Sequence, residues 1–99
     1  MRVHWTPEAK AQLKAIQNYI ASDSPAAAKR TVARLALRAR QAGELPRSGR
    51  KVPEYHRDDL RELMENPYRI IYRIKPGQVD ILTLWHVRRL LPADLVSGQ

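Results

Sequence analysis

The sequence predicts an α+β fold, in which an N-terminal strand and an α-helical hairpin pack on a small, mainly antiparallel twisted sheet. The first half carries two apolar stripes at helical spacing, and the second half carries three stretches of strand-like alternation. The predicted order of elements is β-α-α-β-β-β, followed by a short C-terminal segment. Because 99 residues can bury one hydrophobic core and not two, we expect a single domain over residues 1–99.

A short strand and a helix are predicted at the start of the chain. Residues 2–5 form the strand, and Thr6 can cap a helix in which Pro7 supplies a preset φ angle. The apolar stripe of this helix advances by four, three and four residues through Ala9, Leu13, Ile16 and Ile20. The first helix should therefore span about residues 7–21.

A second helix follows after a tight turn. Ser24 can cap it, and Pro25 suits its first position. Its apolar stripe consists of Ala28, Val32, Leu35 and Ala39. The small alanine side chains should let the two helices approach closely, and Gly43 is expected to end the second one.

Three strands are predicted after a basic, proline-containing surface loop over residues 43–59. They cover Leu60 to Met64, Tyr68 to Lys75, and Val79 to Val87. Pro76 and Gly77 form a short hairpin turn between the last two strands. The last strand is apolar on both faces, which indicates a central, covered position. Residues 90–92 should close the domain, and residues 96–99 should be a frayed tail.

Charge is the main compositional signal. The chain has 18 Lys and Arg against 10 Asp and Glu, a net charge of +8. Such a charge attracts nucleic acid, ribosomes, acidic protein segments and anionic membranes alike. No apolar run is long enough to span a bilayer, and the chain opens directly into folded sequence, so we expect a cytoplasmic protein without a membrane segment.

Several kinds of site are excluded by residue type. The chain has no cysteine, which removes disulfides, thiolate metal sites and cysteine nucleophiles. The histidines are too far apart for metal-ligand spacing, and no glycine-rich phosphate loop or nucleophile elbow is present. We therefore expect no metal and no cofactor.

Four basic residues on the predicted hairpin form the main candidate site. Arg69, Arg73, His86 and Arg88 have the strand parity to converge on one face of the sheet. A convergent cationic surface could bind phosphate through arginine, or an acidic protein segment, with His86 as a proton donor. The alternative is that these residues are separate and solvated, paired with Glu62, Glu65 or Asp80.

The second helix carries another basic face. Arg30, Arg34 and Arg38 are spaced by four residues and line one side, as the wet side of an amphipathic helix requires. Exposure to solvent is enough to explain why this face is basic, although a partner could also bind it. Trp85 is expected to pack in the core.

The chain resembles the RelE/ParE superfamily of type II toxins over nearly its whole length. The resemblance is carried by Asn66-Pro67-Tyr68-Arg69-Ile70-Ile71-Tyr72-Arg73-Ile74, then a turn, an aliphatic strand and Trp85-His86-Val87-Arg88-Arg89. It implies a cognate antitoxin with an acidic, partly disordered segment that folds on binding, for which Arg30, Arg34 and Arg38 are candidate contacts.

Two branches of the superfamily imply two different functions. A ParE-like toxin inhibits DNA gyrase by binding. The segment Trp85-His86-Val87-Arg88-Arg89 and the alanine-rich second helix resemble this branch and favour it. The candidate target-binding residues are then Arg69, Arg73, His86, Arg88 and Arg89. A RelE-like toxin cuts messenger RNA on the ribosome without a metal. In that alternative the catalytic residues would be Arg69, His86 and Glu54.

Overall fold

A computed structural model describes residues 1–89 and residue 91. Its elements are β1 (Arg2–Trp5), α1 (Pro7–Ala21), α2 (Pro25–Glu44), a 3₁₀ turn (Pro46–Ser48), β2 (Arg50–Lys51), β3 (Leu60–Glu65), β4 (Tyr68–Lys75) and β5 (Gln78–His86). The predicted α+β class and element order are confirmed. Within the described part of the chain, no helix is both long and apolar enough to cross a membrane. The predicted tail over residues 96–99 lies outside the described residues.

The five strands form one sheet in the order β1-β5-β4-β3-β2. The first strand pairs with β5 in parallel, and every other neighbouring pair is antiparallel. The two-residue strand β2 was not predicted, because its Arg50 and Lys51 lie in a basic, proline-containing stretch that is typical of a loop. The strand β5 lies between β1 and β4, which confirms its predicted central position.

Both helices begin at the predicted caps. The Thr6 hydroxyl accepts a hydrogen bond from the Ala9 N–H at 3.2 Å, and the Ser24 hydroxyl accepts one from the Ala27 N–H at 3.1 Å. The helices pack on one face of the sheet over a core of Ala9, Leu35, Ala39, Ala42, Leu63, Ile70, Tyr72, Val79, Ile81 and Leu84. This face of the sheet is the helix face.

The opposite face of the sheet, the open face, has its own smaller apolar cluster. Its buried members are Val52, Leu60, Ile71, Leu82, Trp85 and Leu91, with Tyr55 packed against them. Residues of the loop after β2 and Leu91 therefore cover the face of the sheet opposite α1 and α2. Burial on both faces explains why the central strands are apolar on both sides.

A one-residue β-bulge changes which residues of β5 share a face. Ile71 lies opposite Thr83, whereas Tyr72 lies opposite Ile81, so Leu82 is the extra residue. As a result Ile81 packs with the helix-face core and Leu82 packs with the open-face cluster. Strict alternation along β5 would place Ile81 and Trp85 on the same face, and the bulge separates them.

Gly43 lies within α2 rather than ending it. The helix continues to Glu44, and a Cβ atom at Gly43 would lie 2.5 Å from the Val3 side chain and 2.7 Å from the Met1 carbonyl oxygen. The N-terminal ammonium donates to the Gly43 carbonyl at 2.8 Å. Glycine at this position therefore permits the close approach of α2 to β1.

Tyr72 connects the sheet to the segment after α2. Its hydroxyl donates to the Pro46 carbonyl at 2.5 Å and accepts from the Gly49 N–H at 3.2 Å. Tyr72 is fully buried, and burial raises the pKa of its hydroxyl. The two hydrogen bonds satisfy backbone groups that would otherwise be left without a partner in the protein interior.

We expect Tyr72→Phe to lower the free energy of unfolding by about 1–3 kcal/mol, because it leaves the Gly49 N–H and Pro46 carbonyl unpaired. Urea denaturation followed by tryptophan fluorescence measures this change. Tyr19→Phe is the matched control, since the Tyr19 side chain is 81% exposed. It should change stability by less than about 0.5 kcal/mol. Equal effects from the two variants would contradict this role for Tyr72.

Candidate functional site

Arg69 lies on the open face, where two carboxylates hold its guanidinium. Its Nε donates to Glu62 Oε1 at 2.6 Å, and its two terminal nitrogens donate to the two oxygens of Glu54 at 2.8 Å each. Arg50 pairs with the other oxygen of Glu62. Arg69 is 7% exposed and Glu62 is 2% exposed, so the centre of this network is buried, whereas Glu54 and Arg50 are exposed.

The network determines the protonation of Glu54. The hydrogen bonds from Arg69 are the main reason that the pKa of Glu54 falls from 4.5 to about 2. Hydrogen bonding to Glu54, and secondarily to Glu62, raises the pKa of Arg69. A carboxylate with such a low pKa is a weak proton acceptor at neutral pH, since a general base works best with a pKa near the working pH.

Arg73 lies on the same face of the sheet as Arg69 and also forms an ion pair. Its Nε donates to Asp59 Oδ2 at 3.1 Å, and Arg57 holds the same carboxylate through two hydrogen bonds. The hydrogen bond from Arg57 is the largest cause of the lowered pKa of Asp59. The alternative, that the hairpin arginines form ion pairs, therefore holds for both residues. Arg69 pairs with Glu62, as that alternative named, whereas Arg73 pairs with Asp59, which it did not name.

His86 lies on the helix face, away from Arg69. It is opposite Tyr68 in the sheet, and the two rings meet edge to face with their centres 5.9 Å apart. Arg69 is instead opposite Trp85. The predicted convergence of Arg69, Arg73, His86 and Arg88 on one face is therefore wrong.

The β-bulge is the physical reason for this separation. The hairpin begins with Lys75 opposite Gln78, and that register alone would place Arg69 opposite Leu84, on the same side as His86. The extra residue Leu82 shifts the pairing by one position. A shift of one residue moves every later side chain to the other face of the sheet.

The chain turns after β5 and presents Arg88 and Arg89 at the surface. The Arg89 guanidinium lies 4.2 Å from the centre of the Trp85 ring, and the Trp85 indole N–H donates to the Arg89 carbonyl at 3.1 Å. The Arg88 N–H donates to His86 Nδ1 at 3.1 Å. Trp85 is 9% exposed, so its predicted place in the core is confirmed, and it also fixes the backbone of this turn.

The arginines of α2 divide into two groups. Arg34 and Arg38 lie 3.5 and 3.6 Å from the carboxylate of Glu65, and Arg30 is exposed. Arg34 and Arg38 line a shallow cleft together with Leu37, Gln41 and Glu65. Leu37 was not among the predicted site residues, although an aliphatic residue among the arginines of a solvent-exposed helix face is a signal that could have indicated it.

Metal binding has no visible support in the part of the chain that is described. Over residues 1–89 and 91, no group of three or more histidine, aspartate or glutamate side chains is placed to hold a metal ion. The carboxylates of the open face are instead engaged by arginines, as the contacts of Glu54, Glu62 and Asp59 show.

We expect stability to fall as the pH drops from about 4.5 towards about 2, the interval between the ordinary and folded pKa values of Glu54. A carboxyl whose pKa is lowered on folding stabilises the fold while ionised, and this contribution is lost as it protonates. Glu54→Gln should make the free energy of unfolding less dependent on pH in this interval, measured by urea denaturation at a series of pH values. Glu44→Gln, at an exposed position on α2, is the control and should leave the slope unchanged. An unchanged slope for Glu54→Gln would contradict the coupling.

The chain is similar to known toxins over almost its full length. It is 40% identical to Toxin RelE2 of Caulobacter vibrioides over 90 residues, covering 90% of this chain and 98% of that protein. It is 38% identical to Putative toxin Y4kP of Sinorhizobium fredii over 94 residues, covering 95% and 96% of the two chains.

A solved structure and a family model agree with these relatives. The structure described as the chromosomal ParDE TA system from P. aeruginosa matches with a TM-score of 0.72 and 25% identity, over 87% of this chain and 95% of that one. The model for the ParE toxin of the type II toxin-antitoxin system parDE matches residues 3–91. The chain therefore belongs to the ParE toxin family of type II toxin-antitoxin systems, within the RelE/ParE superfamily.

Proposed function

We propose that this toxin inhibits DNA gyrase by binding it, through the basic turn after β5, and that an acidic antitoxin neutralises it. The observation that carries the proposal is the separation of Arg69 from His86 on opposite faces of the sheet. A ribonuclease that attacks through a ribose 2′-hydroxyl needs a base, an acid and cations around one phosphate. The described geometry favours a binding function over that chemistry.

The contacts of Arg69 also favour a binding function over ribonuclease chemistry. All three of its donor nitrogens are engaged by Glu54 and Glu62, and the residue is 7% exposed. To contact an RNA phosphate, Arg69 would have to release Glu54 and leave negative charge without its partner. Releasing Glu54 would give up a bidentate pair of charge-assisted hydrogen bonds. We therefore assign Arg69 and Glu54 a role in supporting the fold of the open face.

The turn with Arg88 and Arg89 has the properties of a binding surface. Both residues are exposed, and hydrogen bonds from the Trp85 ring and to the His86 ring hold their backbone in place. A surface that is already ordered loses less conformational entropy when it binds. Two adjacent guanidinium groups suit an acidic protein surface or a DNA phosphate within the gyrase complex.

The antitoxin is expected to complement the charge of the toxin. The chain has a net charge of +8, and the exposed side of α2 adds Arg30 to the loosely paired Arg34 and Arg38. An acidic segment that folds on this surface would gain charge complementarity and would cover exposed cations. We propose that the complex forms in the cytoplasm, where gyrase acts.

We expect the double variant Arg88→Ala/Arg89→Ala to require about tenfold or more protein for half-inhibition of gyrase, because arginines at the centre of an interface each contribute roughly 1 kcal/mol or more. The assay measures supercoiling of relaxed plasmid by purified gyrase with ATP, and it also scores linear DNA. Lys10→Ala/Lys14→Ala is the matched control, since it removes the same charge from exposed positions of α1. This control should inhibit like the unmodified protein.

Two outcomes would contradict the proposal. If the Arg88→Ala/Arg89→Ala variant is folded and inhibits fully, the binding surface lies elsewhere. If the unmodified protein leaves gyrase active but cuts ribosome-bound messenger RNA, the toxin is a ribonuclease, and the open-face network must rearrange on the ribosome.

A further inference from the structure

The turn after β5 is a four-residue β-turn in which His86 holds the first position. The His86 carbonyl accepts a hydrogen bond from the Arg89 N–H at 3.0 Å, which closes the turn. A second hydrogen bond runs inside the turn, from the Arg88 N–H to the ring nitrogen Nδ1 of His86 at 3.1 Å. His86 therefore holds the turn through both its backbone and its ring.

The ring of His86 takes the place that an asparagine or aspartate side chain takes in many β-turns. Those residues favour the first position because their side-chain oxygen accepts a hydrogen bond from the backbone two residues further on. His86 Nδ1 makes the same contact with the Arg88 N–H. An imidazole nitrogen accepts a hydrogen bond only if it carries no proton. The contact therefore requires a neutral ring with its proton on Nε2.

Protonation of the ring would remove this contact. Both nitrogens of an imidazolium are donors, so Nδ1–H would face the Arg88 N–H from which it now accepts. The new charge would also lie next to Arg88 and Arg89, whose side chains are exposed. Histidine is the side chain that ordinarily changes charge between about pH 5 and 8. The hydrogen bond is therefore present at high pH and is lost as the ring takes up a proton.

The surroundings of His86 contain charged groups on several elements. On β4 the ring meets Tyr68 edge to face, and across the sheet Tyr68 lies opposite Glu65 of β3. Arg34 and Arg38 of α2 lie beside the Glu65 carboxylate. The charged residues of α1 are all exposed: Glu8, Lys10 and Lys14. Within residues 1–89 and 91, no recorded hydrogen bond or ion pair joins a carboxylate to the His86 ring.

Release of the turn would affect the two cations at its surface. The Arg89 carbonyl would keep its hydrogen bond from the Trp85 indole, and the Arg89 guanidinium would keep its place 4.2 Å from the centre of that ring. Arg88 has no such second anchor among its recorded contacts, since its N–H is held by His86 alone. A freed Arg88 would lose more conformational entropy when it binds a target.

We propose that His86 is the positioning residue of this turn and makes it pH-dependent: the neutral ring holds Arg88 ready to bind, and protonation releases it. In this role His86 acts through the backbone of Arg88 rather than through a contact of its own with the target. The weaker target binding at low pH rests on the proposed function. The release of the turn is a property of the toxin alone.

Two substitutions separate the acceptor from the aromatic ring. His86→Asn keeps a side-chain acceptor for the Arg88 N–H but cannot become charged, whereas His86→Phe keeps a ring against Tyr68 but has no acceptor. His56→Asn is the matched control, because it removes a titrating ring from an exposed loop position. Asparagine tolerates the positive φ of 51° at that position. Thermal unfolding of each full-length variant confirms that it is folded.

The first measurement is NMR on the toxin alone between about pH 8 and pH 6. Nitrogen-15 spectra of the His86 ring should show the neutral Nε2–H form at the higher pH. The Arg88 amide signal should move with the titration of this ring in the unmodified chain and in His56→Asn. At one fixed pH near 8, the Arg88 amide should exchange with water about fivefold faster in His86→Phe than in His86→Asn, the effect of one ordinary hydrogen bond.

The second measurement is the affinity of each chain for purified gyrase by biolayer interferometry at the same two pH values. Near pH 8, His86→Phe should bind about fivefold more weakly than the unmodified chain, and His86→Asn should bind within about twofold of it. Near pH 6, the unmodified chain and His56→Asn should bind about threefold more weakly than His86→Asn. The comparison with His86→Asn at each pH cancels any pH dependence of gyrase itself.

Three results would overturn the proposal. They are a proton on His86 Nδ1 near pH 8, a turn and affinity that His86→Phe keeps and His86→Asn loses, and binding that tightens as the His86 ring protonates. Failure of the proposed target is a separate result. If gyrase binds none of the chains while NMR shows the Arg88 amide released with the titration of His86, the gyrase proposal fails and the positioning role of His86 stands.

Discussion

The β-bulge between β4 and β5 is the constraint on which the account of this protein depends. Between the Pro76–Gly77 turn and the bulge, the two strands keep the register of the hairpin turn. Beyond the bulge, the pairing of β5 with β4 is shifted by one residue. The bulge directs Trp85 to the open face, where it packs with Leu91 and holds the turn that follows. It directs His86 to the helix face. One inserted residue thereby separates two side chains that ribonuclease chemistry would need together.

The arginines of β3 and β4 show that net charge is a poor measure of available charge. Arg61, Arg69 and Arg73 are each paired with carboxylates, and the first two are buried. These ion pairs tie the loop after β2 to β3 and β4. Exposed cations are found instead on α2 and in the turn after β5. Composition predicts an attraction to anions but not where it acts.

Much of the fold could be predicted because its signals are local. Cap residues such as Thr6 and Ser24 predict where both helices start, and helical periodicity predicts the end of α1, whereas α2 continues past Gly43 to Glu44. The candidate site could not be predicted in the same way. Its geometry depends on the register at Leu82, and alternation along a strand does not reveal a bulge when both faces are apolar. The pairing of Glu54 with Arg69 depends on the path of the loop after β2. A loop has no periodic sequence pattern from which its path could be predicted.

The most direct test of this account is an NMR measurement of contacts across the β4–β5 pair in the isotopically labelled protein. The structure predicts nuclear Overhauser effects between the rings of Tyr68 and His86, whose centres are 5.9 Å apart, and cross-strand contacts that pair Ile71 with Thr83. Contacts from the His86 ring to the Arg69 side chain instead would show that the bulge is absent. The two residues would then share a face, as ribonuclease chemistry requires.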